Sequence, residues 1–153
     1  DFFLDCAMDS TYRAKNLDGT WLSGFVGSLA REALELYRLT YAKAVAASKH
    51  FDPLQRMTKV AKEAAHDIDL GNQCGEGWFL TGDMIDLIEK GAKQVVCLQP
   101  FGCLPNHVSG KGMVKTLSEA YPDVRIAAID YDPGSSAVNQ ANRLKLLLAT
   151  MFE

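Results

Sequence analysis

Two short apolar runs, residues 94–99 and 124–129, dominate the hydrophobic pattern in the second half of the chain. Each run is followed by a loop rich in Gly, Pro, Asp or Cys, and each loop leads into a segment with helical periodicity. Runs of this length favour β-strands, and their alternation with helices is typical of α/β proteins. Because parallel strands present functional loops at their carboxyl ends, we expect a site after residues 99 and 129. The continuous apolarity of residues 94–99 also predicts a strand that is covered on both faces.

The first half of the chain has apolar residues at helical spacing. Residues 23–49 predict one long helix, with Ser23 as its N-cap. Its wide apolar stripe favours burial in a core over a partner-binding surface. Asp52-Pro53 predicts the start of a second helix. Phe2-Phe3-Leu4 is a candidate short strand.

Further helices are expected between and after the two strands. Thr81 and Ser109 are the predicted N-caps of two of them, and a last helix follows Gly134. The elements together predict a single α/β domain over residues 1–153, mainly helical over 1–70 and α/β over 71–153, with a small, mostly parallel sheet. Two strands are too few for an independent sheet, so the start of the chain, a neighbouring segment or another subunit is expected to complete it.

Composition and charge argue against some classes of function. The hydrophobic fraction of 48% and the charged fraction of 23% are those of a globular protein with a real core. The formal net charge is -3, and no basic run accumulates, so we expect no nucleic-acid partner. No apolar run is long enough to cross a bilayer and no signal peptide is visible, so a cytoplasmic protein with reduced cysteines is expected. The first residue is Asp1 rather than Met, which suggests a fragment of a longer protein.

Cys103 is the most suggestive single residue. It lies in a Gly/Pro-rich loop after a predicted strand and close to a helix start, a setting that activates thiols. Three interpretations are open: an iron–sulfur ligand, a reactive thiol and an inert loop cysteine. Cys74, in the glycine-rich loop of residues 71–82, could approach it, whereas Cys97 is expected to be buried in a strand and Cys6 has no assigned role. A cluster normally needs three or four thiolates, so this chain would hold at most an incomplete set unless oxygen, histidine or another chain supplies ligands.

Gly110-Lys111-Gly112 invites comparison with a phosphate loop. The residue five positions before Gly110 is Pro105 rather than Gly, and the lysine is not followed by Ser or Thr. A nucleoside triphosphate loop is therefore excluded here, while a generic anion site built on these three residues remains a candidate.

Other polar residues in the same loops complete the candidate set. His107 follows Cys103 by four positions, which makes a Cys–His nucleophile pair conceivable. Asp130 and Asp132 follow the second strand and could bind a cation or ligand hydroxyls, or could simply form a turn. Glu76 and Asn106 are further candidate site residues in the two loops.

Three segments carry a resemblance to a known family: GEGWFLTGDMIDLI, QPFGCLPNHVSGKGM and AIDYDPGSSAVNQANRLKL. They resemble the C-terminal region of the large acyl-CoA dehydratase activase-related proteins, which are kin of the 2-hydroxyglutaryl-CoA dehydratase and benzoyl-CoA reductase activators. YRAKNLDGTWLSGF and REALELYRLTY fit the same region. The resemblance implies flavodoxin-like three-layer subdomains and a [4Fe-4S] cluster held by loop cysteines, with Cys103 the matching position and Cys74 a weaker one.

The resemblance also implies partners. In that family the ATP-binding activase modules lie elsewhere in the polypeptide, so this chain would have no ATP site and would work with the rest of its parent protein, or as a homo-oligomer. Its expected role is to contribute a cluster ligand or a docking surface to an ATP-driven acyl-CoA dehydratase or reductase system. A non-catalytic assembly domain and a phosphate- or small-molecule-binding module are the alternatives.

Overall fold

The structure, a computed structural model, describes residues 2–48, 50–73, 75–132, 134 and 136–149. Within these ranges the chain forms six α-helices and one sheet of two parallel strands, which confirms a mixed α/β fold. The elements are α1 (Phe2–Asn16), α2 (Trp21–Ala47), α3 (Met57–Ala64), α4 (Trp78–Glu89), β1 (Gln94–Pro100), α5 (Val114–Ala120), β2 (Arg125–Tyr131) and α6 (Ala137–Ala149). No helix in the described ranges is both long and apolar enough to cross a membrane.

The chain divides into two compact units, Asp1–Lys62 and Glu63–Glu153. The first unit is helical, and the second carries the sheet. That residues 1–153 act as one domain of a longer protein stays a prediction.

In the first unit, α1 and α2 form a closely packed hairpin. A Cβ added at Gly27 would lie 2.8 Å from the carbonyl oxygen of Ala7, and one at Gly24 would lie 2.6 Å from Cβ of Ala14. The glycines therefore allow the two helix backbones to approach. The predicted strand at Phe2-Phe3-Leu4 is wrong, because these residues begin α1 and continue its helical spacing, with Leu4 buried.

Helix α2 begins earlier than predicted. Thr20, not Ser23, is its N-cap: the Thr20 hydroxyl accepts a hydrogen bond of 3.2 Å from the Ser23 amide. The helix ends at Ala47, and Lys49 lies outside the described residues.

The predicted burial of the α2 apolar stripe is wrong. Leu29 is 63% exposed and Tyr37 is 86% exposed, and Phe25 and Leu36 are exposed as well. The buried positions of α2 are Gly24 and Gly27, which face α1. Helical periodicity identifies an apolar stripe, but it does not say whether another element covers it.

In the second unit, β1 and β2 pair in parallel, from Gln94 opposite Arg125 to Pro100 opposite Tyr131. Beneath them lies the hydrophobic core, which comprises Met84, Ile85, Ile88, Val95, Cys97, Leu117 and Val124. Burial alternates along β1, and Leu98 is 58% exposed. The prediction of a strand covered on both faces is therefore wrong: α4 contacts β1 on one face, and the described elements leave Val96 and Leu98 on the other face exposed.

Three predicted helix starts are also corrected. Helix α3 begins at Met57 rather than at Pro53. Helix α4 begins at Trp78, after Gly77 with a φ of 44°, and the hydroxyl of buried Thr81 donates to the carbonyl of Ser109 instead of capping the helix. Residues Asn106–Gly110 form a π-helical turn and Lys111–Met113 a 3₁₀ turn, so Ser109 does not cap α5. The Ser109 hydroxyl donates to the Pro105 carbonyl, four residues earlier, and α5 begins only at Val114.

Candidate functional site

Cys103 lies in the loop that follows β1, where Gly102 adopts a φ of 71° and turns the chain. Its side chain is half-buried, and its sulfur accepts a hydrogen bond of 3.1 Å from the side-chain amide of Asn106. The Cys103 backbone amide donates to the carbonyl of Pro100. The thiol is thus held at the carboxyl end of the sheet, partly accessible and next to a polar donor.

Asn106 is itself fixed by the strand below it. Gln99 is 1% exposed at the end of β1, and its amide donates a hydrogen bond of 3.1 Å to the backbone carbonyl of Asn106. Asn106 is also buried, so its side chain has little freedom to turn away from Cys103. Gln99 had not been singled out from the sequence. Its position in the strand is the signal that could have identified it. Gln99 follows Val95 and Cys97 at a spacing of two residues, so it lies on the same buried face of β1.

His107 is exposed and contacts the backbone of Cys103. Its Nδ1 lies 2.9 Å from the Cys103 carbonyl oxygen, and its backbone amide donates to the same oxygen. The ring therefore faces the main chain and not the thiol, a geometry that gives no support to a Cys–His nucleophile pair.

The glycine-rich loop approaches the Cys103 loop. A Cβ added at Gly75 would lie 3.1 Å from Cγ of Pro105. A cavity of about 240 Å³ lies between the two loops, lined by Gly71, Asn72, Gln73, Gly77, Leu104, Pro105, Val108 and Ser109. Cys74 lies outside the described residues; of the residues that flank it, Gly75 lies against Pro105 and Gln73 lines the same cavity as Pro105.

The other described cysteines, Cys97 and Cys6, both have raised thiol pKa values. Cys97 is buried under the sheet, and burial raises the pKa of its thiol, with a smaller contribution from the charge of half-buried Glu76. Cys6 belongs to the other compact unit, and its pKa is raised first by burial and then by the charges of Asp5 and Asp9. Among the described residues, no group of three His, Cys, Asp or Glu side chains comes together as a metal site.

Lys111 and Asp130 are brought together, whereas the two glycines have packing roles. The Lys111 ammonium lies 3.3 Å from Oδ2 of Asp130. The Lys111 backbone amide already donates to the carbonyls of Asn106 and His107, so it is not available to an anion. A Cβ at Gly110 would meet the Cys97 sulfur at 3.1 Å, and one at Gly112 would meet the His107 carbonyl oxygen at 3.0 Å.

Asp130, near the end of β2, and Asp132, just after it, lie in different environments. Oδ1 of Asp130 is buried and finds no hydrogen-bond partner within the described part of the chain, while its Oδ2 faces Lys111. Asp132 is half-buried one residue beyond the end of β2. Asp130 thus has Lys111 as an ion-pair partner, and a cation site at Asp130 and Asp132 stays a prediction.

Comparison with known proteins gives no match to any family model, curated protein or solved structure.

Proposed function

We propose that this chain is the dehydratase-related portion of an ATP-driven, iron–sulfur acyl-CoA dehydratase or reductase activase-type protein. In this proposal Cys103 contributes one thiolate to a [4Fe-4S] cluster. The fold is a flavodoxin-like three-layer arrangement, completed by strands from outside the described residues. The protein is cytoplasmic and works with the activase modules of its parent polypeptide, which carry the ATP site.

The observation that carries the proposal is the environment of Cys103. Its sulfur is partly accessible and accepts a hydrogen bond from the Asn106 side chain. Hydrogen bonds to sulfur are one of the means by which proteins tune iron–sulfur clusters, and a cluster ligand must be reachable and deprotonated. Cys97 is buried, and burial raises the pKa of its thiol, so it is neither reachable nor readily deprotonated.

The described residues fit the cluster only in part. They supply one suitable cysteine at the carboxyl end of the sheet, whereas a cubane cluster normally has four thiolate ligands. Cys74 is the next candidate, because its neighbour Gly75 lies against Pro105, which is two residues after Cys103, and its neighbour Gln73 lines the same cavity. The remaining ligands would come from the parent polypeptide or from a second copy.

The test is anaerobic iron–sulfide reconstitution of the protein and of its Cys103→Ala and Cys6→Ala variants. We expect a broad absorption band near roughly 400 nm in the wild type and in Cys6→Ala, and its loss in Cys103→Ala. Cys6→Ala is the matched control because it removes an exposed thiol from the other compact unit. A band of equal intensity in Cys103→Ala would contradict the assignment, with circular dichroism establishing that each variant is folded.

The exposed face of α2 favours a second candidate function, a non-catalytic assembly domain. This helix leaves an apolar stripe uncovered, which includes Trp21, Leu22, Phe25, Val26, Leu29, Leu36 and Tyr37. Exposed apolar patches of this kind mark association surfaces in soluble proteins. If no variant and no wild-type sample forms a cluster while the protein self-associates, the assembly function replaces the redox function.

A further inference from the structure

A groove of about 680 Å³ lies beside β2, between α5 and α6. Four cationic side chains line it: Lys111, Lys115, Arg125 and Arg143. Its described lining includes no acidic residue. The groove is therefore a positively charged recess on a chain whose formal net charge is -3.

The two arginines are held in place by neutral groups. Arg143 donates a hydrogen bond of 2.8 Å to the carbonyl of Ala128, and Arg125 donates one of 2.9 Å to the carbonyl of Pro122. Within the described residues, neither guanidinium has a carboxylate at ion-pair distance. Each guanidinium has further N–H donors beyond these bonds, so both side chains are oriented and still able to bind an anion.

The two lysines each lie near a carboxylate. Lys115 lies 3.8 Å from Glu119, but both side chains are highly exposed, and such pairs contribute little. Lys111 lies 3.3 Å from Asp130 at the rim of the groove. Arg125 and Arg143 are therefore the two cations of the recess without a carboxylate partner in the described part of the chain.

The floor of the groove is apolar. It is formed by Val114, Val124, Ile126, Ala127, Ala128, Leu146 and Leu147, with Ser118 at one side. A recess of this size with a few convergent charged groups over an apolar lining is typical of small-molecule sites.

We propose that this groove binds a phosphate-bearing small molecule, with its phosphates on Arg125 and Arg143 and its less polar part on the floor. Arginine forks match phosphate oxygens in bidentate geometry. This site does not depend on Cys103 or on a cluster, and its basic residues lie on α5, β2, α6 and the 3₁₀ turn before α5. It differs from the predicted anion site at the Gly110–Gly112 backbone, where the Lys111 amide is already bonded.

An added peptide strand is the less favourable occupant. The outer edge of β2 would have to offer free carbonyls to a pairing strand. Two of these carbonyls are already occupied, since Arg143 donates to Ala128 and Gln140 donates to Asp130. Side chains from α6 thus protect the edge that a strand would need.

The experiment is a titration of the protein with adenosine diphosphate, followed by amide chemical shifts and by calorimetry, with adenosine as the phosphate-free probe. We expect saturable binding of adenosine diphosphate, with shifts at the Ala127 and Ala128 amides, and much weaker binding of adenosine. Arg125→Gln and Arg143→Gln should each weaken binding by about tenfold. Arg56→Gln, which removes an exposed cation from the other compact unit, should leave binding unchanged.

Arg143 also anchors the Ala128 carbonyl, so its substitution can lower stability, and thermal melts are measured for every variant. Arg125→Gln provides an independent test if Arg143→Gln does not fold. Absence of saturable binding to wild type, or an equal affinity in wild type and Arg125→Gln, would overturn the proposal. Binding of hexaglutamate without binding of adenosine diphosphate would also overturn it, in favour of an acidic peptide.

Discussion

The side-chain amide of Asn106 donates a hydrogen bond of 3.1 Å to the sulfur of Cys103. The two residues are three positions apart, on either side of Pro105, and they lie on one helical turn that is closed by the bond from the His107 amide to the Cys103 carbonyl. Because Gln99 holds the Asn106 backbone from below, the bond links the thiol to the buried end of β1.

Asn106→Ala should make Cys103 less reactive. The substitution removes the donor that favours a charged sulfur, and the lower nucleophilicity of stabilised thiolates partly offsets this effect. We expect alkylation of Cys103 by iodoacetamide to slow by about twofold to threefold, measured site by site with mass spectrometry. Asn16→Ala, on exposed helix surface in the other unit, is the control. An unchanged rate at Cys103 would show that the hydrogen bond has no chemical effect.

The buried thiol of Cys97 predicts a pH dependence of stability. Burial is the main cause of its raised pKa, and the Gln99 hydrogen bond acts in the opposite direction. A raised folded-state pKa contributes stability that is complete below the ordinary thiol pKa of about 8.5 and is lost as the pH rises through the folded value.

The cost of Cys97→Ala in free energy of unfolding should therefore be smaller at about pH 10 than at about pH 7.5. Urea titrations of both proteins under reducing conditions measure this difference, and the titration of other groups cancels between them. A cost that is equal or larger at the higher pH would contradict the assignment.

Gly27→Ala should destabilise the α1–α2 hairpin. The new methyl group would lie 2.8 Å from the Ala7 carbonyl oxygen and 2.9 Å from Cβ of Ser10, so the helices must separate. Alanine gains about 1 kcal/mol in helix propensity, but overpacking against backbone is expected to outweigh it, with a net loss of about 1 kcal/mol or more. Urea unfolding followed by helical circular dichroism measures the change, with Thr40→Ala on the exposed side of α2 as control. A variant more stable than wild type would show that the hairpin is looser than described.

Two large-to-small substitutions should lower the free energy of unfolding by very different amounts. Ile85 is 1% exposed in the core under the sheet, and Ile85→Ala should cost about 2–5 kcal/mol in free energy of unfolding. Leu29 is 63% exposed on α2, and Leu29→Ala should cost less than about 0.5 kcal/mol. A large cost at Leu29 that disappears on dilution would show that the α2 face is covered by a second copy in solution. Sedimentation at several protein concentrations distinguishes this case.

The elements of the second unit were largely predictable from local sequence. The predicted strands at residues 94–99 and 124–129 correspond to Gln94–Pro100 and Arg125–Tyr131. Short apolar runs between glycine- and proline-rich loops favour a strand. Helix α4 ends at Glu89, and Gly91 follows with a φ of 96°, a conformation that favours glycine after a helix.

The errors arose where a long-range partner decided the outcome. Ser109 has the chemistry of a helix cap, but its hydroxyl bonds to Pro105 and its carbonyl accepts from Thr81. Phe2-Phe3-Leu4 has strand propensity, yet it is the first turn of a helix that packs on α2. Local propensities in short segments are weak, and tertiary contacts override them.

The candidate site shows the same division. Loop composition after β1 was enough to single out Cys103, because glycine and proline make the loop and the strand end places it. Three other features could not be predicted from local sequence, because they depend on tertiary contacts. They are the hydrogen bond from Asn106 to the Cys103 sulfur, the bond from buried Gln99 to the Asn106 backbone, and the presence of Arg125 and Arg143 in one groove.

By itself, the sequence determined that this protein has two parallel strands with helices between them, since the apolar period is a local property of the chain. It also determined that the Cys103 thiol lies in the loop at the carboxyl end of β1. Only the tertiary structure decided that α2 buries its glycines and exposes its leucines, and that β1 is covered on one face. The physical reason is that a side-chain pattern specifies which surface is apolar, whereas burial depends on which other element reaches that surface.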